Sequence, residues 1–382
     1  MILGIDASNI RGGGGVTHLV ELLNAAKPNR YGFEKVIVWG GRATLDKIQE
    51  KPWLVKECEP LLDKSLLHRI FWNRFVLNKR LKETKTDIFF APGGTYSGNF
   101  RPFVTMSQNL LPFEWDEIKR YGFSKRSLRL IALFFTQSLT FKKANGVIFL
   151  TQFARDVVLK KIKLPIERTA VVNHGINRKF FQKPKVQAEI SSYSLKRPFR
   201  ILYVSFIGEY KHQWNVVKAV GILRRKKYPI VLDLIGTPDE EGPLFRLRQA
   251  IAEEDPDGKF INYFSSIPYS DIEKKYMKAD LFVFASSCET FGQIVTEAMA
   301  AGMPIVCSNR SAMPEILKDA GGYFDPLDVP SISSALQSMI DSKKTRSKVS
   351  KSAFDSAKKF SWDKAADETF AFLKDVKGKY QR

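Results

Sequence analysis

Two glutamates eight positions apart, Glu289 and Glu297, bracket Phe291 and Gly292 in the stretch "SSCETFGQIVTEAMAAGMPIVCS", Ser286 to Ser308. Carboxylates accept hydrogen bonds from sugar hydroxyls, and this spacing separates two such acceptors by function. The apolar run Leu281 to Ala285 must end at the carboxyl edge of a sheet, with Glu289 in the turn that follows. Open α/β sheets bind their ligands at that edge. Gly292 permits close backbone approach, and a helix starting near Gln293 would turn unpaired N–H groups and the positive end of its dipole toward a phosphate. Glu297, one turn into that helix, is placed to accept ribose hydroxyls, whereas Glu289 on the loop is free to meet what lies beyond the phosphates. Taken alone, the pair also reads as a first-turn helix glutamate and a surface charge.

Other stretches carry related chemistry. In "YKHQ", Tyr210 to Gln213, Lys211 follows the first strand of the second half, where a cation would meet a phosphate. In "RGGGGVTHLVELL" the glycines follow the first strand of the chain. They read either as a mobile loop or as a turn whose backbone N–H groups approach a pyrophosphate. The run is not a GxGxxG string with an acidic residue about 20 positions on, which weakens a dinucleotide reading. Of the four histidines, His18 and His212 flank these loops, His174 lies near the expected interdomain link and His68 lies in a basic stretch. The sequence has no HxH, HExxH or DxD arrangement and no GxSxG elbow, so neither a bound metal nor a serine hydrolase is expected.

These residues need a scaffold, and the 382 residues favour two domains over one. Short apolar runs alternate with helical patterns, which argues for parallel sheets covered on both faces. Strands are expected at Ile2 to Ile5, Val36 to Trp39, Ile88 to Ala91, Phe103 to Met106, Val147 to Leu150 and Ala170 to Asn173, with helices at Val16 to Ala26 and Ser127 to Phe141. Around Lys185 to Phe199 the periodicity lapses, and we place the linker there. Strands are then expected at Ile201 to Phe206, Ile230 to Ile235, Phe260 to Phe264, Leu281 to Ala285 and Pro304 to Cys307. Helices are expected from Trp214, Pro243, Ser270, Gly292 and Met313. A final amphipathic helix should turn Trp362, Phe370 and Leu373 inward, and the pattern does not decide which half it covers. The expected domains are 1–190 and 191–360, with a C-terminal helix in 361–382 for which a return to the first domain is one of two options.

A formal net charge of +21 calls for an anionic partner. Between Asp63 and Lys143 there are fifteen Lys/Arg against six Asp/Glu, with aromatics interleaved. The bland reading is solvated helix faces; the sharper one is adhesion to an anionic leaflet. No zinc finger, RNA-recognition core or basic zipper is present, so nucleic acid is not expected. No apolar run approaches the roughly 18 residues of a membrane span. The start reads as a strand rather than a secretory signal, and three unpaired cysteines, Cys58, Cys288 and Cys307, fit a reducing cytosol.

The string from Glu289 to Val306 closely resembles the donor-site motif of retaining glycosyltransferases of family 4. "YKHQ", "NHGI" (Asn173 to Ile176), "YMKADLFVFAS" and "MPEIL" stand where that family has comparable strings. The resemblance covers the second half well and the first half loosely. It implies the α/β GT-B fold, with two Rossmann-like domains whose parallel sheets face a central cleft. It implies a metal-independent transfer of a hexose from a nucleotide-diphosphate sugar, with no other cofactor and with retention of configuration. It places Lys211, Glu289, Phe291, Gly292, Gln293, Ile294, Val295 and Glu297 at the donor, with Lys211 and Glu289 as the catalytic residues. It brings Gly14 and Gly15 to the diphosphate from the other domain.

Two positions depart from the family pattern. Phe206 stands where an arginine is usual, and Gln108 and Asn109 stand where a histidine often meets the donor sugar. The resemblance favours a GDP-sugar such as GDP-mannose over UDP- and dTDP-sugars. The acceptor is expected to be a glycan or lipid-linked glycan of surface polysaccharide assembly, met at the cytoplasmic face of a membrane. The rival readings are a GT-B epimerase or phosphorylase, a nicotinamide-dependent oxidoreductase, and a catalytically weakened nucleotide-sugar-binding protein.

Overall fold

The computed structural model describes residues 1–268 and 271–381, which form two compact units. The first comprises Met1–Gly175 together with Phe360–Arg382, and the second Ile176–Lys359.

In the first unit seven strands pair in parallel: β1 (Ile2–Asp6), β2 (Lys35–Gly40), β3 (Leu54–Cys58), β4 (Ile88–Ala91), β5 (Phe103–Ser107), β6 (Gly146–Phe149) and β7 (Thr169–Val171). Their order is β3-β2-β1-β4-β5-β6-β7. In the second unit six strands do the same: β8 (Phe199–Val204), β9 (Ile230–Ile235), β10 (Ile261–Phe264), β11 (Leu281–Phe284), β12 (Ile305–Ser308) and β13 (Gly322–Phe324). Their order is β10-β9-β8-β11-β12-β13. In both sheets the chain runs outward, returns to the middle and runs out the other way. Each sheet therefore has a switch point, between β1 and β4 in one and between β8 and β11 in the other, where the loops diverge and leave a crevice.

The central strands β4, β5, β6, β11 and β12 are buried along their whole length. Each fully buried Phe or Ile in them contributes about 1.5–3 kcal/mol of apolar burial. The edge strands β3 and β13 are only partly buried. The mixed pattern of β3 and the three-residue length of β13 did not announce them as strands.

Several expected boundaries move. The first helix starts at Gly13 rather than Val16. The helix expected at Ser127 runs Lys125–Lys143, because Ser124 and Ser127 form a reciprocal capping box. The helix expected from Ser270 is described from Ile272, and Ser270 lies outside the described residues. The boundary expected at 190 lies instead between Gly175 and Ile176. Residues beyond it are tied to the second unit: Gln182 N–H donates to the Ala300 carbonyl at 2.9 Å, and the Arg346 Nε donates to Gln187 Oε1 at 3.2 Å. Such ties through backbone and polar side chains leave no apolar period to read.

The last helix, Trp362–Tyr380, packs on the helix Gly13–Ala25 of the first unit, and Trp362, Phe370 and Leu373 are its buried residues as expected. At its start the Trp362 indole lies 5.7 Å, edge-on, from the ring of His18, which stacks on His174 at 4.7 Å. Burial, with His174 alongside, holds His18 well below the ordinary histidine range.

Candidate active site

The switch point of the second unit gathers the chemistry. After β8 the chain turns through Ser205 to Gly208, and a short helical turn, Glu209–Lys211, delivers Lys211 to the carboxyl edge. After β11 a loop delivers Glu289 to the same edge. The Lys211 Nζ donates to Glu289 Oε1, and the two side chains are 5% and 16% exposed. Three rings surround that ammonium: Phe206 at 4.8 Å, Tyr210 at 4.8 Å and Phe284 at 5.1 Å from their centroids. Cation–π attraction from three sides fixes the lysine tip while Glu289 leads out of the cage. Phe206, where an arginine was expected, is thus one wall of this cage and is itself 37% exposed.

A second layer ties the two loops together. The buried Tyr203 on β8 accepts the Ala285 N–H at 3.2 Å and donates to the Lys211 carbonyl, so one phenol joins the ends of β8 and β11. His212, in a left-handed conformation with φ of 50°, pairs its Nε2 with Ser287 Oγ at 2.9 Å. The Ser287 N–H donates to the Tyr210 carbonyl at 2.9 Å. Ser311 accepts the Glu289 N–H at 2.7 Å and donates to the Glu289 carbonyl at 2.8 Å, fixing that residue's backbone. Tyr203, Ser287 and Ser311 had no signal in the sequence, for each acts on a residue far away along the chain.

Gly292 caps the helix Gln293–Ala300 with φ of 83°. The helix begins directly after the loop that carries Glu289, and a helix start of this kind suits an anion. Gln293 and Ile294 are partly exposed there. Phe291 and Val295, expected at the donor, are buried and offer it no side-chain surface, and the Val295 N–H already donates to the Gly292 carbonyl at 2.9 Å.

Glu297 is no surface charge: it is 5% exposed and accepts the Tyr276 hydroxyl at 3.2 Å. Burial pushes its carboxyl up to about 8, against the opposing pull of Tyr276 and Lys179. The folded state therefore holds this proton more tightly than the unfolded chain, whose carboxyl titrates near 4.5. Its stabilising contribution is complete below about 4.5 and is lost as the pH rises through about 8. Denaturant melts across that window should show wild type losing stability relative to Glu297→Gln as the pH rises. Parallel profiles for the two proteins would refute the assignment.

The switch point of the first unit is polar too. Gly13, with φ of 60°, is the glycine whose backbone requires it, while Gly14 and Gly15 lie in the first helical turn. The glycine run is thus mostly helix start rather than loop. Gln108 Nε2 donates to the Pro92 carbonyl at 3.2 Å, and Asn109 Oδ1 accepts the Leu111 N–H at 3.1 Å, closing its own turn. Sequence reading missed Asp6, buried at the end of β1. It accepts from Ser8 Oγ at 2.8 Å and Asn73 Nδ2 at 3.1 Å, while burial raises its carboxyl. Among the described residues no three His, Cys, Asp or Glu side chains cluster as a metal-ligand set.

Two sheets of this order, each with polar loops at its switch point, define a protein of two Rossmann-like α/β units, and solved structures agree. The chain superposes on sucrose-phosphate synthase from Thermosynechococcus elongatus with a TM-score of 0.74 at 17% identity, covering 97% of each chain. It superposes on Anabaena Alr3699/HepE, solved with UDP-glucose, with a TM-score of 0.68 at 17% identity, covering 97% of this chain and 98% of that one. The fold is GT-B. Residues 187–356 match the family model of glycosyl transferases group 1. Among curated proteins the chain is similar to O-antigen chain mannosyltransferase B of Escherichia coli, 27% identical over 234 residues. That stretch spans 59% of this chain and 59% of the relative's own length.

Proposed function

We propose that this chain is a glycosyltransferase that moves a hexose from a nucleotide-diphosphate sugar to a glycan or lipid-linked glycan, retaining the anomeric configuration. The observation that carries the reading is the Lys211–Glu289 pair at the β8/β11 switch point, beside the helix that starts at Gly292. Breaking the glycosidic bond builds negative charge on the departing diphosphate. Lys211 and the helix start are the groups that meet this charge, and because the protein already holds them in place no reorganisation is needed as it develops. In this reading they do so without a metal ion, and the donor is a co-substrate with no further cofactor. Glu289 accepts hydroxyls of the donor sugar, and Glu297, protonated at neutral pH, presents an O–H as well as acceptor oxygens to the ribose. A mannosyl donor accords with the name of the Escherichia coli relative, and UDP-glucose is the ligand named for HepE. We place the reaction in surface polysaccharide assembly at the cytoplasmic face of a membrane. No helix among the described residues is long and apolar enough to cross one, so the attachment would be peripheral.

Thermal denaturation of the full chain with GDP-, UDP- and dTDP-sugars tests the donor. The cognate nucleotide at 100 times its dissociation constant should add about 2.7 kcal/mol of stability. A panel in which no nucleotide sugar shifts the melt sinks the reading. Phe206, in place of a second cation, favours one alternative, a nucleotide-sugar-binding protein without turnover. Stabilisation by a donor that is neither hydrolysed nor transferred would select it.

A further inference from the structure

At the carboxyl edge of the first sheet three arginines come together without an acid. Arg11, in the loop after β1, donates from Nη1 to the Lys64 carbonyl at 3.1 Å and from Nη2 to the Asp63 carbonyl at 3.4 Å. Arg69 donates from Nη1 to Asn9 Oδ1 at 3.3 Å, and Asn9 in turn donates to Thr95 Oγ1 at 3.2 Å, in the loop after β4. Arg129, on the helix Lys125–Lys143, joins Arg11 in pressing on the Arg69 guanidinium, which partial burial and these two like charges make easier to deprotonate than usual. The Arg69 Nε is buried with no hydrogen-bond partner. Among the described residues none of the three arginines has an ion-pair partner, and Asp63 turns its carboxylate to the Arg42 N–H at 3.0 Å. Gathering three like charges is unfavourable unless an anion joins them.

The surface around this cluster is apolar and exposed. Residues 66–83 form one helical rod, Leu66–Phe71, then a widened turn at Trp72–Val76, then Leu77–Glu83. The widened turn sends Asn73 inward to Asp6, while Leu67 and Phe75 stand 75% and 65% exposed. Phe71 and Phe75 pack ring to ring at 5.2 Å, forming a ridge on the same rod as Arg69. Leu128, next to Arg129 on the helix Lys125–Lys143, is a further exposed apolar side chain. An exposed apolar ridge next to an unneutralised arginine cluster has the form of a site for an amphiphile whose head is multiply anionic.

We propose that the first unit binds a phosphate or diphosphate joined to a long apolar chain, with Arg11, Arg69 and Arg129 on the phosphate and Leu67, Phe71 and Phe75 in the apolar layer. Calling this ligand the lipid end of the acceptor rests on the glycosyltransferase reading; the site itself does not. The test is co-sedimentation of the full chain with three kinds of vesicle: phosphatidylcholine alone, phosphatidylcholine with dicetyl phosphate, and the latter with free pyrophosphate as competitor. Retention is expected on the phosphate-bearing vesicles only, falling as salt rises. Arg69→Gln with Arg129→Gln, and separately Phe71→Ser with Phe75→Ser, should each weaken it about tenfold or more. Equal retention on phosphatidylcholine alone, or unchanged retention of the arginine variant, overturns the proposal. Complete displacement by pyrophosphate at low concentration also overturns it, because it would show a soluble phosphate to be the ligand. A cooperative thermal melt of each variant near the wild-type temperature reports that it is folded, and the nucleotide-induced shift is read on the same samples. That shift separates the two readings: vesicle capture without any nucleotide response leaves the lipid site standing and removes the transferase.

Discussion

Lys211→Ala is expected to lower sugar transfer by about 10²–10³-fold, the usual cost of removing one preorganised group aimed at developing charge. The same change should also destabilise the second unit, for a separate reason. It leaves Glu289 without its counter-ion and empties the ring-lined space that the ammonium filled. Removing one partner of a buried pair costs about 3–5 kcal/mol, and Glu289, which reaches solvent, should fall at the lower end. The two effects are separable. Lys211→Met with Glu289→Gln keeps the volume and removes both charges, so the melting temperature should recover while transfer stays lost. Rates from labelled donor and melts on the three proteins decide the matter. A single variant that transfers at the wild-type rate removes Lys211 from the mechanism, and a double variant that recovers transfer reduces the pair to a structural role. Lys211→Arg is not a conservative probe, because a planar guanidinium does not fit a cage built around a compact ammonium.

Gly292→Ala should be a strongly damaging single-methyl change at the candidate site. The φ of 83° costs a residue with a Cβ about 1–2 kcal/mol. The added carbon would also lie 2.2 Å from Met313 Cε and 3.1 Å from its Sδ, and Met313 is fully buried, so it has little room to retreat. Overpacking of this kind costs about 1–3 kcal/mol more. For a unit of this size the sum corresponds to a fall of about 5–15 °C in melting temperature. In a Met313→Ala background, which removes the clash but not the backbone strain, the added cost of Gly292→Ala should shrink to the backbone part, about 1–2 kcal/mol. Donor affinity should fall in both proteins, since the strain is relieved only by turning the helix start away from the edge. An alanine variant that melts and binds like wild type would show that the left-handed cap is not needed.

The legible parts of this molecule were those written in contiguous residues. The alternation of apolar runs and helical periods exposed eleven of the strands, because fully buried parallel strands must be apolar throughout. It failed at β3, which sits at a sheet edge and keeps Lys56 and Glu57, and at β13, which is only three residues long. Glu289, Gly292 and Glu297 were legible as one string, and Lys211 by its place after a strand. The cage was not, since Phe206, Tyr210 and Phe284 meet Lys211 only once β8 and β11 lie side by side. Neither were Tyr203, Ser287 and Ser311, which act through hydrogen bonds to backbone rather than through a pattern. The basic region was legible as an excess of charge. That two of its arginines, Arg69 and Arg129, join Arg11 beside an apolar ridge depends on a loop, a helical rod and a second helix that periodicity cannot bring together.

The return of the last helix to the first unit reverses the order in which the molecule can be completed. During synthesis the second unit has all of its residues once Lys359 has left the ribosome. The first, although begun earlier, must wait with the face of its opening helix, Gly13–Ala25, unroofed until Trp362–Tyr380 arrives. The part made first is therefore the part finished last, and its nascent apolar face is the one a chaperone would have to shield.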